Sequence, residues 1–132
     1  MASVFTKIIA GEVPAHRIAE DDAHIAFLDI NPLVKGHTLV VPKREVDYYF
    51  DLSDAELAAL NAFAKRVAAA IYREVPCLRV GIAVIGLEVP HVHMHLVPLN
   101  RMADIDFTRE KMHPSQEELA AVAKRISAVV LD

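Results

Sequence analysis

Five segments of the chain carry the short, apolar and often alternating pattern that is typical of β-strands. They cover residues 17–20, 24–29, 36–41, 78–85 and 91–99. Turn signals separate the first three segments, because Asp21-Asp22 and Asn31-Pro32 are pairs that favour turns. Pro42 ends the third, since proline has no N–H to donate to a neighbouring strand, and Pro98 interrupts the fifth. The short links at the start predict a mostly antiparallel sheet.

Two other segments repeat apolar residues at helical spacing, and each opens with a capping box. Ser53 and Glu56 begin the first, and Pro76 closes it. Ser115 and Glu118 begin the second. The apolar positions are Leu57, Leu60, Ala64, Val67 and Ile71 in the first helix and Leu119, Val122, Ile126 and Val129 in the second. This order of elements predicts an α+β fold with five strands and two main helices. We expect a single domain over residues 1–132, with the C-terminal helix at about 115–130.

The composition is that of an ordinary globular domain: of 132 residues, 54% are hydrophobic and 24% are charged. The net charge of −4 argues against a nucleic-acid groove, which usually carries a basic stripe. No apolar run reaches the roughly 18 residues of a membrane span, and residues 1–12 lack the long apolar core of a secretory signal. Cys77 is the single cysteine, so an internal disulfide is excluded, as is usual in a reducing cytoplasm. We therefore predict a cytoplasmic protein without a nucleic-acid or membrane partner.

Seven histidines are many for this length, and three of them, His91, His93 and His95, fall within five positions. In a strand every second side chain points to the same face, so the three imidazoles would line one side. The intervening apolar residues would pack against the core on the other side; they are Val92, Met94 and Leu96.

Three interpretations of this cluster are open at this point. The histidines could form an ordinary polar strand face, although clusters of one polar type usually mark a site. They could bind a metal, but two strand steps of ~6.6 Å separate the backbones of His91 and His95 by about 13 Å, so a further ligand such as His37 would be needed. They could provide nucleophilic catalysis, since an imidazole with a pKa near ~6.5 is both a nucleophile and a proton carrier. Phosphoryl groups suit this chemistry, because their oxygens need several donors.

The string from His91 to Val97, HVHMHLV, resembles the signature of the histidine triad (HIT) family of nucleotide hydrolases. Three further segments are similar to the family in the same order, so the resemblance covers residues 3–99. They are residues 5–14 (FTKIIAGEVP), 26–32 (AFLDINP) and 36–43 (GHTLVVPK). The resemblance implies a HIT-like α+β fold with a five-stranded antiparallel sheet, usually as a homodimer.

The resemblance also implies a role for each histidine. His93, the middle one, would attack the α-phosphorus of a nucleotide and form a covalent nucleotidyl-histidine. His91 would hold His93 in the right tautomer, and His95 would contact the phosphate or the leaving group. His37 would join the same hydrogen-bonded chain from the neighbouring strand.

A nucleotide site beside these histidines is implied as well. Asp29 would accept hydrogen bonds from the ribose hydroxyls through its two carboxylate oxygens. An apolar slot for the base would be lined by Ile8, Phe27, Leu28 and Ile30. A place in the core is the alternative for Phe27, Ile30 and Ile8, and from the sequence alone we favour it for Ile8. A turn before Asn31-Pro32 is the alternative for Asp29.

The chain departs from the family pattern at three places. Ser3 and Thr6 stand where many members carry a Cys-x-x-Cys zinc pair, so we predict no metal and no cofactor. His95 stands where the nucleotidyltransferase branch has glutamine, which favours hydrolysis. Residues 86–90, Gly-Leu-Glu-Val-Pro, replace the usual Gly-Gln-Ser or Gly-Gln-Thr, and residues 78–85 lack the usual upstream asparagine. The phosphate pocket is therefore expected to differ from that of the well-known members.

Glu88 lies three residues before His91, where related proteins often place a serine that donates to the phosphate or the leaving group. An ionised carboxylate cannot donate, and it would repel a phosphate. Glu88 therefore either points away as a surface charge or lies at the mouth of the site. In the second case, which we favour, it would bind a cationic leaving group or raise the pKa of a triad histidine.

These expectations combine into one functional hypothesis and its alternatives. The protein would be a homodimeric hydrolase that releases a purine nucleoside monophosphate from a leaving group, first of all from a phosphoramidate such as an AMP-amine. A dinucleoside polyphosphate hydrolase is the enzymatic alternative. A nucleotide-binding regulatory module with little turnover is the alternative from another class.

Overall fold

The computed structural model describes residues 2–131, and its strands form one antiparallel sheet in the order β1-β2-β3-β5-β4. The strands are β1 (Arg17–Glu20), β2 (His24–Leu28), β3 (Thr38–Pro42), β4 (Arg79–Ala83) and β5 (Met94–Leu99). The first three strands follow one another as neighbours, while β5 lies between β3 and β4 and leaves β4 at the edge. The predicted fold class, with a five-stranded antiparallel sheet, is confirmed.

Three α-helices accompany the sheet: α1 (Val4–Ile9), α2 (Asp54–Glu74) and α3 (Gln116–Ser127). Two 3₁₀ turns lie at Tyr49–Asp51 and Met102–Ile105. Both predicted capping boxes are present, at Ser53 before α2 and at Ser115 before α3. The sequence pattern does not predict α1, because six residues are too few to show a helical repeat. Over residues 2–131, none of the helices combines the length and the apolar character that crossing a membrane requires.

The sheet separates two apolar clusters, because alternating residues of its strands point to opposite faces. On one face, α2 and α3 cover the larger cluster, to which Leu28 and Val40 contribute. On the other face, α1 covers the smaller cluster, which includes Phe27 and Leu39. The larger cluster also contains the apolar residues between the three histidines, which are Val92, Met94 and Leu96. The alternation therefore directs the histidines to the face that α1 covers.

The fifth strand is shorter than predicted, because it begins at Met94 rather than at His91. Pro90 has no N–H to donate, and the N–H of His91 bonds over 2.8 Å to the nearby carbonyl of Val89 instead of to a neighbouring strand. Residues 91–93 therefore lie outside the strand. Their side chains still alternate between the two faces.

A turn at Gly36 delivers His37 to the start of β3. The φ angle of Gly36 is +93°, in the left-handed region that favours glycine. A Cβ atom at this position would also lie 3.0 Å from Cγ2 of Val75 and 3.2 Å from Cγ of Pro98. The loop closes through a 3.0 Å hydrogen bond from the N–H of Asp29 to the carbonyl of His37. This bond sets the two residues side by side.

Candidate active site

His91 is buried and is held by hydrogen bonds at both ring nitrogens. Nε2 lies 2.7 Å from the carbonyl oxygen of Pro42, and Nδ1 lies 2.7 Å from Oγ of Ser3. Because a carbonyl can only accept, Nε2 carries the proton and Nδ1 accepts from the Ser3 hydroxyl. The ring of His91 is thus a fixed, neutral anchor with both nitrogens occupied.

His93 has the opposite arrangement, with one nitrogen engaged and the other available. Nδ1 lies 2.8 Å from the main-chain carbonyl oxygen of His91, to which it donates. The proton on Nδ1 leaves a lone pair on Nε2, which is the form that nucleophilic attack requires. The ring packs against Phe5, with the two centroids 5.0 Å apart. The tautomer of His93 is therefore set by the main chain of His91 and not by its imidazole.

His37 and His95 form a second hydrogen-bonded pair. The N–H of Leu33 donates to Nδ1 of His37 over 3.0 Å, so the proton of His37 is on Nε2. That Nε2 donates in turn to Nδ1 of His95 over 2.9 Å. His95 consequently carries its own proton on Nε2, from which it can donate to a phosphate oxygen. The structure brings His37 together with the triad as expected, and its bond runs to His95.

Burial keeps these imidazoles neutral at neutral pH. Burial lowers the pKa of His95 to about 3, with further lowering by the neighbouring histidines. It lowers the pKa of His37 to about 4, and the charge of Lys111 adds to this effect. The pKa of His91 is also lowered, mainly by burial. His37, His91 and His95 are therefore neutral rings whose donors and acceptors are assigned by their partners.

Asp29 lies at the edge of the histidine cluster. Its Oδ2 is 3.7 Å from Nε2 of His37, and its Oδ1 accepts from the N–H of Asn31 over 2.9 Å. Burial raises the pKa of the Asp29 carboxyl; among the weaker effects, the bond from Asn31 lowers it and the charge of Glu88 raises it. Glu88 is exposed, and its negative charge acts on Asp29. Its predicted effect on a triad histidine stays a prediction.

Glu45 connects α1 to the base of the site. Its Oε1 accepts from the backbone N–H of Ser3 over 2.8 Å and from the hydroxyl of Thr6. These hydrogen bonds, that of Thr6 first, lower the pKa of Glu45 to about 2. Oγ of Ser3 also caps α1, because it accepts from the N–H of Thr6 over 3.0 Å. One hydroxyl therefore begins the helix and donates to His91.

The predicted base slot is divided between the two faces of the sheet. Ile8 and Phe27 lie in the smaller cluster together with Phe5, and Ile30 is 55% exposed. Leu28 lies in the larger cluster, so its side chain points away from the histidine face. We therefore correct the predicted set: Phe27 and Ile8 lie on the histidine face, Ile30 is exposed, and Leu28 belongs to the core on the other face.

Two residues that the sequence did not single out complete the surroundings of the histidines. The ring centroid of Phe107 lies 4.7 Å from that of His95 and 6.1 Å from that of His37. Lys111 donates to the carbonyl of Phe107 over 2.7 Å, and its charge acts on Asp29. Both residues lie in an irregular segment beyond the resemblance, where neither periodicity nor a motif marks them.

Asp29, His37 and His95 offer ligand atoms that lie within 4.8 Å of one another, a spacing that suits a metal ion. The hydrogen bond from Leu33 opposes this use, because it keeps the proton of His37 on Nε2, the atom that faces His95. A ligating histidine must present a lone pair to the metal. The tautomers of this cluster therefore suit proton donation better than metal binding.

Comparisons with known proteins agree with this geometry. The HIT domain family matches residues 10–102. The chain is 33% identical over 132 residues to a protein of Schizosaccharomyces pombe named adenosine 5'-monophosphoramidase, covering 98% of this chain and 99% of the relative. It is similar in structure to a HIT-like protein from Bartonella henselae, with a TM-score of 0.82, 30% identity and coverage of 96% and 95% of the two chains. A zinc-bound histidine triad family protein from Mycobacterium smegmatis gives a TM-score of 0.80, 31% identity and coverage of 97% and 94%.

Proposed function

This chain belongs to the HIT domain family, and we propose that it hydrolyses a purine nucleoside phosphoramidate to the nucleoside monophosphate and an amine. One observation carries the proposal: Nδ1 of His93 is bonded to the carbonyl of His91, so Nε2 is available as the nucleophile. The relative from Schizosaccharomyces pombe, named for its action on adenosine 5'-phosphoramidate, supports the same substrate class.

The reaction proceeds in two in-line displacements. Nε2 of His93 attacks the α-phosphorus, the P–N bond breaks, and the nitrogen takes up a proton from solvent and leaves as an amine. Nε2–H of His95 donates to a phosphate oxygen, where negative charge builds up. Water then attacks the nucleotidyl-histidine and gives one proton to solvent, and His93 leaves with the lone pair on Nε2 restored. Asp29 binds the ribose hydroxyls, and Phe27 packs against the base.

Turnover of adenosine 5'-phosphoramidate tests the proposal, with the His93→Gly variant for comparison. We expect the wild-type protein to release AMP and the variant to lose at least about 10³-fold in kcat/KM, because no other group replaces the imidazole as nucleophile. Mass spectrometry of wild-type protein unfolded during turnover should detect the nucleotidyl adduct on His93. Circular dichroism checks that the variant is folded. Full activity in the folded variant would refute the assignment of the nucleophile.

A dinucleoside polyphosphate is the alternative substrate, and the two substrates differ in the leaving group. A nucleotide-binding regulatory module is the other alternative, and the exposed Glu88 in the segment before His91 favours it, because Glu88 replaces the donor that related proteins place there. Faster turnover of diadenosine tetraphosphate than of the phosphoramidate would favour the polyphosphate hydrolase. Binding of AMP without turnover of either compound would favour the regulatory module.

We also propose that the protein is a cytoplasmic homodimer that associates along β4. β4 lies at an edge of the sheet, and native proteins usually cover or blunt such edges. Ile82 of β4 is 57% exposed, although it is a large apolar residue. A second copy of the chain would cover both the edge and this side chain. Light scattering should give the mass of a dimer for the wild type and of a monomer for Ile82→Glu; a monomeric wild type would rule the dimer out.

A further inference from the structure

A cavity of about 430 Å³ opens directly beside His93. We call it the aromatic pocket, after the three consecutive aromatic residues in its wall. It is lined by Asp47, Tyr48, Tyr49, Phe50, Val84, Ile85, Gly86, Val92 and His93. The loop before α2 and the loop after β4 thus meet at the nucleophile and leave a space between them.

The aromatic residues of this pocket are unusually exposed. Phe50 is 70% exposed and Tyr48 is 58% exposed, although burial of such side chains stabilises a fold. The ring of Phe50 lies edge-on to both tyrosines, with centroids 5.6 Å from Tyr48 and 5.2 Å from Tyr49. Tyr49 is tied to α2, since its hydroxyl accepts from the amide of Asn61 over 3.3 Å. An ordered, exposed aromatic group at a cavity is typical of a binding surface.

The nucleotide side of the site lies elsewhere. The charge of Lys111 acts on Asp29, and neither of these two residues lines the aromatic pocket. His93 is common to both sides, since it lines the pocket and is also among the weaker influences that lower the pKa of Asp29. A phosphorus bound at His93 therefore lies close both to Asp29 and to the aromatic pocket. The group that remains to be placed is the one that leaves the phosphorus.

The lining indicates the chemistry of that group. Rings of Tyr and Phe favour a planar, apolar partner, and their faces attract cations. Asp47 is exposed and adds a carboxylate, whereas the lining contains no Lys or Arg. An anionic leaving group, such as a nucleoside phosphate, would meet this carboxylate without a compensating positive charge.

We propose that the aromatic pocket is the leaving-group subsite and that it selects an aromatic amine that carries an additional positive charge. This inference rests on the proposed phosphoramidase function and names the part of the substrate that the family membership leaves open. The aromatic ring of the leaving amine stacks on Tyr48 and Phe50, and Asp47 forms an ion pair with the additional positive charge of the amine.

Two AMP amidates test the preference for an aromatic ring, one of 2-phenylethylamine and one of 2-cyclohexylethylamine. The amines are similar in size and basicity, so the chemical step is matched. We expect kcat/KM of the wild type to be about 5-fold higher for the phenyl compound, and the ratio to fall towards one in Phe50→Leu and Tyr48→Leu. Met102→Ala is the control, since Met102 is an exposed apolar residue outside the pocket, and it should keep the wild-type ratio.

A third amidate, of 4-(aminomethyl)phenethylamine joined through its ethylamine nitrogen, tests the charge. We expect Asp47→Asn to lower kcat/KM for this compound by about 3-fold or more relative to the uncharged phenyl compound. Two results would overturn the proposal. One is equal kcat/KM of the wild type for the phenyl and cyclohexyl compounds, and the other is an equal loss of kcat/KM for every substrate in the pocket variants.

Failure of the proposed function has a different signature. Unsubstituted adenosine 5'-phosphoramidate places nothing in the aromatic pocket, so its turnover tests the function alone. If it is not hydrolysed, calorimetric titration of the wild type with the phenyl and cyclohexyl compounds still compares their binding. Tighter binding of the phenyl compound that depends on Phe50 would support the subsite; equal binding would refute it.

Discussion

Nδ1 of His93 donates a hydrogen bond of 2.8 Å to the main-chain carbonyl oxygen of His91, so the backbone orients the ring of the proposed nucleophile. That carbonyl is held in place because the ring of His91 is itself bonded at both nitrogens, to Ser3 and to Pro42. The orientation of the nucleophile therefore depends on α1 and on the end of β3. Changing those partners should alter kcat more than nucleotide binding.

The Ser3→Ala variant removes the hydroxyl that donates to Nδ1 of His91. We expect kcat to fall by about 10-fold and KM to change by less than about 2-fold, since Nδ1 of His91 loses its partner while the contacts of Asp29 do not involve Ser3. The free energy of unfolding should fall by about 1 kcal/mol through the lost helix cap. Steady-state kinetics and urea unfolding measure the two effects separately.

Ser53→Ala is the matched control for Ser3→Ala. Ser53 caps α2 through the same kind of hydrogen bond, to the N–H of Glu56, but belongs to a different part of the fold. It should lose a similar amount of stability, about 1 kcal/mol, with kcat unchanged. Ser3→Thr keeps the hydroxyl and should retain most of the wild-type kcat. Equal kcat in Ser3→Ala and the wild type would show that the bond to His91 does not orient the nucleophile.

Acid should destabilise the fold through its buried histidines. An unfolded histidine has a pKa near 6.5, whereas the folded pKa is about 4 for His37 and about 3 for His95. Between these values and 6.5 the unfolded chain binds more protons, so the free energy of unfolding rises with pH through this window and falls on acidification.

Urea unfolding at several pH values between 5 and 7 measures this dependence. The slope of unfolding free energy against pH gives the number of protons that the chain takes up when it unfolds. We expect this number to be smaller in His37→Gln than in the wild type, by up to about one proton. If both proteins gave the same slope, His37 would titrate in the folded protein as it does in the unfolded chain.

Activity should not depend on a divalent ion. The N–H of Leu33 fixes the proton of His37 on Nε2, and Ser3 occupies Nδ1 of His91, so neither histidine presents a free lone pair to a metal. We expect kcat/KM for adenosine 5'-phosphoramidate to stay within about 2-fold after dialysis against excess chelator. A loss of activity that zinc restores and magnesium does not would contradict the assigned tautomers.

Glu88→Gln should shift the acidic limb of the pH–rate profile to lower pH. The charge of Glu88 contributes to the raised pKa of Asp29, so its removal lets Asp29 ionise at lower pH and bind the ribose hydroxyls there. The same substitution should weaken turnover of amidates with a cationic leaving group more than that of neutral ones. An unmoved profile together with equal kinetics for both substrate types would leave Glu88 without a part in the chemistry.

The sequence predicted those features whose signals are local. The alternation around the histidines correctly assigned Val92, Met94 and Leu96 to the core, because strand geometry fixes the side of each residue. The capping boxes at Ser53 and Ser115 located the two long helices, because each box satisfies backbone donors within a single turn.

The contacts that prepare the site for catalysis join residues far apart in the chain, and no local pattern encodes them. Ser3 meets His91 across 88 positions, and His37 meets His95 across 58. The donor that fixes the tautomer of His37 is the backbone N–H of Leu33, a group that every residue except proline carries. Only the folded chain shows which of these groups lie within hydrogen-bond distance.

The helix α1 has consequences for how the enzyme responds to heat. Six residues are too few for a helix that is stable on its own, so α1 depends on its packing and on the cap from Ser3. If α1 frays, the Ser3 hydroxyl leaves His91 while the sheet and α2 remain folded. Warming should therefore reversibly lower kcat below the temperature at which the sheet melts cooperatively, and amide hydrogen exchange in residues 4–9 should accelerate over that same interval.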